Sequence, residues 1–282
     1  MARIDTGTEE LLCDIHQRVA VVTLNKPHKK NALGDILTPA LRALLPELEG
    51  RADVGCVMLT GAGKSFCSGG DVSEMGGDTH SSDPAPSLER RIADLTQKQR
   101  ALTGRLYHLS KPTVAALPGA AAGAGLSIAL ACDLRVAADD AFLITAFRNV
   151  GLSGDYGATW FLPRLVGLAR AKSLFYFSPR LSAQEALAIG LVDRVFPAAS
   201  FREQALQYAI EIANGPTRTL GRIKQNLQAG LVQSLDDSFA LEARNMVESG
   251  GGDETRAAIL AFKEKRNPVF HPQNRPPTGE NS

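Results

Sequence analysis

The chain is 282 residues long and 44% hydrophobic, enough to bury a sizeable core as one large domain or as a domain with an appendage. Its 31 basic and 30 acidic residues leave a net charge of +1, so nothing electrostatic points to nucleic acid or an anionic membrane, and a small ligand is the expected partner. The N-terminal MARIDTGTEE lacks the basic-then-apolar order of a signal peptide, and no apolar run approaches the ~20 residues of a membrane span, which leads us to expect a cytoplasmic protein.

Cys13, Cys56, Cys67 and Cys132 show no CxxC spacing and read as reduced thiols filling a core, with no metal site expected. In chain order, residues 11–24 read as a hairpin with Arg18 near the turn and 19–24 as its second strand. Asn25, Lys26 and Pro27 close it, and a basic loop with Lys29 and Lys30 follows. Residues 34–48 have the spacing of an amphipathic helix despite Pro39 and Pro46, the second of which is expected to end or kink it.

An apolar β-like run over 54–59 opens into GAGKSFCSGGDVSEM, a glycine-rich turn with a helix start expected at Asp71. The TGAGKS at 60–65 invites a reading as a phosphate-binding loop of the form GxxxxGK[ST]. Met58, inside the strand, occupies the position that must be glycine, so the loop cannot wrap a phosphate with consecutive N–H groups. Residues 76–86 are polar and rich in turn formers, a mobile loop beside a site; His80 there has no assigned role. Residues 88–109 carry Ile92, Leu95, Leu102, Leu106 and Leu109 at roughly helical spacing.

The stretch SKPTVAALPGAAAGAGLSIALACDLRV, residues 110–136, reads as strand, turn and buried helix. Gly119, Gly123 and Gly125 head that helix, which suits either close packing or a bare backbone whose unpaired N–H groups meet a ligand oxygen. Two strand-to-helix turns, here and at 61–75, would supply one N–H each to an oxyanion that develops on a carbonyl. GAAAGAG is not the dinucleotide fingerprint GxGxxG. Further on, GLSGDYGATWFLPRLVG places Asp155 where a helix begins, a position suited to an N-cap as well as to acid/base chemistry. Residues 182–190 read as a short helix capped by Ser182 and ended by Gly190, 191–196 as a strand, and 201–266 as mostly helical; 271–282 has no apolar face and is expected to be disordered.

KSFCSGGDVSEM, followed about fifty residues later by KPTVAALPGAAAGAGLSIALACDLRVA, resembles the enoyl-CoA hydratase/isomerase (crotonase) superfamily over roughly residues 19–270. The resemblance implies an α/β crotonase fold: a spiral core of repeated ββα units over 1–200 with two roughly perpendicular sheets, a C-terminal helical oligomerisation region over 201–266, and a tail over 267–282. It implies an oxyanion hole from the backbone N–H groups of Gly70 and Ala124, and carbonyls of Ser68 and Gly70 that receive the adenine of coenzyme A. LNKPHKKNAL resembles the family's LNRP-x-x-x-NAL and makes Lys29 and Lys30 candidate phosphate contacts, while FKEKRNPVF makes Phe262, Lys265 and Phe270 candidate contacts from a neighbouring subunit. The helical region of the family packs trimers or hexamers built from two trimers. No cofactor beyond the coenzyme A of an acyl-CoA substrate is implied.

Two glutamates serve typical hydratases of this family, and here their positions match Ser127 and Phe147, neither of which does carboxylate chemistry. Asp155 remains, in a segment that resembles the phenylacetate-pathway enoyl-CoA isomerases, whose aspartate is the acid/base. The expected activity is therefore conversion of a 3-enoyl-CoA to a 2-enoyl-CoA, with Phe147 and Trp160 expected as apolar surroundings that raise the Asp155 pKa. Hydration is the runner-up, aryl dehalogenation a remoter option within the family, and acyl-CoA binding without turnover the alternative of another class.

Overall fold

The computed structural model describes residues 2–71 and 86–271. The helix expected to follow Asp71, the loop at 76–85 with His80, and the tail from 272 lie outside the described residues. Strands β1 (Ala2–Ile4), β2 (Leu11–His16) and β3 (Val19–Leu24) make an antiparallel ribbon in which Leu11 faces Leu24 and His16 faces Val19. Gln17 and Arg18 turn the corner with φ of 42° and 71°, which is the hairpin expected over 11–24.

Helix α1 (Leu37–Gly50) starts three residues later than its apolar spacing suggests and runs through Pro46 instead of ending there. Pro39 falls in the first turn, where a missing N–H costs no intrahelical bond, and Leu41, Leu44, Leu45 and Leu48 bury the face that holds the helix past Pro46. At its end the buried Lys111 ammonium donates to the carbonyls of Leu48 and Arg51. Strand β4 (Cys56–Gly61) is buried throughout and leads to the short β5 (Ser65–Cys67). The helix expected over 88–109 is present as α2 (Leu88–Gln99), one π-helical turn at Arg100–Gly104, and α3 (Arg105–His108). Leu102, Leu106 and Leu109 are buried, but Leu88, Ile92 and Leu95 are exposed.

The strand–turn–helix expected at 113–132 holds one more strand: β6 (Thr113–Leu117) is followed by β7 (Ala120–Ala122), and α4 (Ala124–Ala131) starts after it. Small residues let this segment pair with β5 before the helix begins, Ser65 facing Ala120 and Cys67 facing Ala121. Then come β8 (Leu134–Ala138), β9 (Phe142–Ile144), α5 (Ala158–Val166), α6 (Leu168–Phe177) and β10 (Leu181–Ser182). Helix α7 (Ala183–Ala188) is fixed by a capping box between Ser182 and Glu185, and β11 (Arg194–Phe196) is shorter than the run at 191–196 suggested.

Among the described residues, one sheet has the order β1-β2-β3-β4-β6-β8-β11 and the other β10-β9-β7-β5. Each of the pairs β4/β5, β6/β7 and β8/β9 gives its first strand to the large sheet and its second to the small one, which is the repeat of the crotonase core. Apart from the N-terminal ribbon and β9–β10 the pairings are parallel, so the turns after β5 and β7 emerge side by side. Helix α8 (Phe201–Ala213) buries Phe201, Ala205, Ala209 and Ile210 against the core. Helices α9 (Thr217–Gly230), α10 (Leu235–Gly250) and α11 (Asp253–Lys263) leave Ile223, Leu227, Phe239, Met246, Ile259 and Phe262 exposed. Among the described residues no helix is long and apolar enough to cross a membrane.

Candidate active site

Two backbone turns meet at the C-terminal ends of β5 and β7. A side chain on Gly69 would lie 3.0 Å from the Ala122 carbonyl oxygen and 3.4 Å from the Ala124 nitrogen, and one on Gly125 would lie 2.5 Å from the Cys67 carbonyl oxygen and 2.8 Å from its sulfur. Glycine at 125 is therefore a packing requirement. The bare backbone and the close packing that the sequence left as alternatives occur together, because it is the packing that brings the turns into register.

Gly70 is framed on both sides: the Leu33 N–H donates to the Gly69 carbonyl at 2.8 Å, and the Asp71 N–H donates to the Leu33 carbonyl at 3.0 Å. Ala124 is the first residue of α4, whose N-cap Gly123 has φ of 51° and donates to the Ile144 carbonyl at 3.1 Å. Neither the Gly70 nor the Ala124 N–H donates to any atom among the described residues. Two such donors, one at a helix start, are what a developing oxyanion requires. The Ser68 and Gly70 carbonyls likewise accept from no described donor, whereas the Gly69 carbonyl between them is engaged.

The two positions at which a hydratase would carry glutamate are chemically silent. Ser127 is fully buried, and its hydroxyl donates to the Gly123 carbonyl at 3.2 Å. Phe147 is buried and stacks on Phe175 with ring centroids 6.2 Å apart.

Asp155 lies in a tight turn, with Gly154, Tyr156 and Gly157 at φ of 108°, 48° and 79°. Its side chain caps no helix. Gly157 stands at the N-cap of α5 and makes no side-chain cap, and Asp155 contributes only its carbonyl, which accepts from the Ala158 N–H at 3.1 Å. The Oδ1 atom of Asp155 is buried and has no hydrogen-bond partner among the described residues, and burial alone pushes the carboxyl pKa up to about 6. Phe147 and Phe175 flank Gly154 at 4.0 and 3.8 Å from a modest side chain placed there. Trp160 packs against Tyr107, Phe161 and the Arg164 guanidinium.

The basic loop is pinned next to the first turn. Asn31, fully buried, accepts from the Lys26 N–H and donates to the carbonyls of Ala62 and Ser65 at 3.0 and 2.8 Å. The Lys29 ammonium lies 2.6 Å from the buried Asp71 carboxylate, which Lys26 also approaches at 3.8 Å. Lys30 is exposed, at φ of 52°. The three C-terminal candidates are not gathered with these residues. Phe262 is 84% exposed on α11, Lys265 is exposed beyond it, and Phe270 lines a cavity of about 670 Å³ with Arg18, Lys111 and His271. All four cysteines are free and buried, and burial raises the thiols of Cys13, Cys67 and Cys132 to about 12 and that of Cys56 as well.

The sequence reading missed Arg42 and Tyr156. Arg42 lies on α1 and donates to the Tyr156 hydroxyl at 3.0 Å and to the Lys98 carbonyl at 3.3 Å. Nothing in the spacing of α1 marks Arg42 as different from a solvated helix residue.

Comparison with known proteins identifies the family. The model of a family described as Enoyl-CoA hydratase/isomerase matches residues 14–273. The chain belongs to the enoyl-CoA hydratase/isomerase family. It is 36% identical over 257 residues to a probable enoyl-CoA hydratase of Rhodobacter capsulatus, covering 91% of this chain and 96% of that one. It is 35% identical over 262 residues to the 1,2-epoxyphenylacetyl-CoA isomerase of Escherichia coli, covering 93% and 98%. The crystal structure of an enoyl-CoA hydratase from Bacillus anthracis superposes with a TM-score of 0.83 at 30% identity, covering 92% of this chain and 98% of that one. Family membership assigns enzyme activity of the hydratase/isomerase class on acyl-CoA thioesters. Both names occur among relatives of equal similarity, so the choice between the two reactions rests on the residues of this site.

Proposed function

We propose that the protein is an enoyl-CoA isomerase that converts 3-enoyl-CoA to the conjugated 2-enoyl-CoA with Asp155 as its acid/base. One observation carries this reading: the Asp155 Oδ1 is buried without a partner among the described residues, while both hydratase glutamate positions hold side chains that exchange no proton at neutral pH. Adding water across a double bond uses one group to activate the water and another to manage the proton at C2. Moving a double bond takes a single base that removes a proton and returns it.

Asp155 abstracts the C2 proton, the electrons pass to the thioester oxygen held by the N–H groups of Gly70 and Ala124, and the same carboxyl delivers the proton to C4. A pKa near 6 suits both half-steps, since the group is ionised at neutral pH yet holds the proton long enough to hand it on. Each oxyanion donor contributes about 3 kcal/mol of barrier lowering. Coenzyme A, carried by the substrate, is received by the carbonyls of Ser68 and Gly70 with its phosphates toward Lys29 and Lys30, and no other cofactor takes part. The exposed apolar residues of α9, α10 and α11 support assembly as a trimer or hexamer, in which Phe262 and Lys265 meet a neighbouring subunit.

The deciding experiment assays wild type and Asp155→Asn side by side on a 3-enoyl-CoA and a 2-enoyl-CoA. Conversion of the 3-enoyl-CoA by wild type and its loss in the variant is the expected result. Undiminished hydration of the 2-enoyl-CoA by the variant would overturn the assignment.

A further inference from the structure

Arg42 belongs to no motif, yet its guanidinium joins two other elements. Its Nη2 donates to the hydroxyl of Tyr156, the residue after Asp155, and its Nε donates to the carbonyl of Lys98 in the last turn of α2. Tyr156 is 8% exposed and has φ of 48°, a left-handed backbone that side chains seldom adopt and that persists only where the surroundings enforce it. The enforcing contacts here are the burial of the ring, the Arg42 bond, and the Phe161 ring packed on Gly157 so closely that a side chain there would come within 2.7 Å of it.

The other end of the contact is also specific. Lys98 lies two residues before the π-helical residues 100–104, where the hydrogen-bond register lengthens. Arg42 Nε supplies the Lys98 carbonyl, and Thr103 Oγ1 supplies that of Gln99 at 3.2 Å. One guanidinium thus ties the Asp155 turn to the helix that exposes Leu88, Ile92 and Leu95.

We propose that Arg42 is a positioning residue: through Tyr156 it fixes the turn that aims the Asp155 carboxylate, and through Lys98 it sets that turn against α2. The inference rests on the reading of Asp155 as the acid/base. Arg42 does not touch the carboxylate, and among the described residues the ionisable groups that act on Tyr156 are Arg42 and Asp155, with burial the sole influence on Asp155 itself. Without Arg42 the left-handed turn relaxes, the carboxylate shifts from its place and water reaches it.

The test measures kcat, KM and the pH profile on 3-hexenoyl-CoA for Arg42→Met, Tyr156→Phe, the double variant and Arg42→Lys. We expect kcat to fall on the order of 10- to 100-fold in both single variants, as for a misaligned base, with KM within about threefold of wild type. The acid limb of the kcat profile moves to lower pH, because a hydrated Asp155 titrates closer to an ordinary carboxylate. The double variant is no worse than Arg42→Met, and Arg42→Lys recovers part of the rate, since an ammonium reaches one partner at a time. Wild-type kcat and an unmoved acid limb in folded Tyr156→Phe and Arg42→Lys overturn the proposal, as does a rise in KM with kcat intact. Tyr156→Phe removes a single oxygen and keeps the test decisive if Arg42→Met fails to fold. Full activity in Asp155→Asn would defeat the isomerase reading itself, whereas an inactive Asp155→Asn beside wild-type Arg42 and Tyr156 variants defeats this inference alone.

Discussion

The paired turns at Gly70 and Ala124 offer backbone N–H groups, whereas the turn at 154–157 offers one side chain, and the two are held in different ways. Gly70 sits between two hydrogen bonds to Leu33, Ala124 begins a fully buried helix, and the strands behind them are paired. The Asp155 turn has three residues at positive φ and, among the described residues, a single side-chain hydrogen bond, from Arg42 to Tyr156. A backbone donor is placed by the fold and tolerates changes of side chain; a carboxylate needs its own residue and its own support. The comparison explains how Ser127 and Phe147 can stand at the glutamate positions without disturbing the oxyanion turns, since Phe147 gives no hydrogen bond and Ser127 only one, to the Gly123 carbonyl, leaving the two N–H donors to the backbone.

The largest expected effect breaks the side-chain half. Asp155→Asn lowers the isomerisation rate by about 10³-fold or more, measured on a 3-enoyl-CoA, while circular dichroism shows the fold retained. The same variant tests burial. The folded pKa of Asp155 lies above its ordinary 3.8, so ionisation destabilises the fold; that cost is absent below 3.8, grows between 3.8 and about 6, and is complete above about 6. Asp155→Asn is therefore expected to melt roughly 2–5 °C higher than wild type at pH 8, with the gain vanishing near pH 4 in scanning calorimetry.

Breaking the backbone half comes next. Ala124→Pro deletes one N–H at the first position of α4, where proline suits a helix, and is expected to lower kcat by about 10²-fold with little loss of stability. Smaller still, and graded, is the response to pH: wild-type kcat/KM is expected to fall tenfold per unit below about pH 6 as Asp155 protonates. An acid limb at pH 4 would place the working carboxylate in a solvated site. At the bottom of the scale, Ser127→Ala is expected to leave kcat within about threefold, because its hydroxyl is turned into its own helix. A larger loss would show that this position still takes part in the chemistry.

Most of the strand and helix pattern was legible, because alternation at 11–24 and saturated apolar runs at 54–59 and 113–117 report burial on one or both faces of a sheet. The errors have physical causes. Pro46 did not end α1, since buried leucines on both sides of it outweigh a lost hydrogen bond. Three alanines read as the head of a helix became β7, because a waiting edge at β5 decides what low-preference residues do. Of the two roles the sequence left open for Asp155, the N-cap falls to Gly157 because of the left-handed turn.

Sequence by itself determined the class of the protein. Two glycine-rich turns at the right spacing, a non-acidic residue at each glutamate position and an aspartate in GDYG are local facts that survive any packing, and they name the family and narrow its chemistry. Tertiary structure decided how that chemistry is supported. That Asp155 Oδ1 is buried and unpartnered among the described residues, that Ser127 is turned inward, and that Arg42 reaches Tyr156 from 114 positions away are consequences of which surfaces meet. Burial and hydrogen-bond partnership belong to pairs of elements, so no stretch of sequence carries them alone.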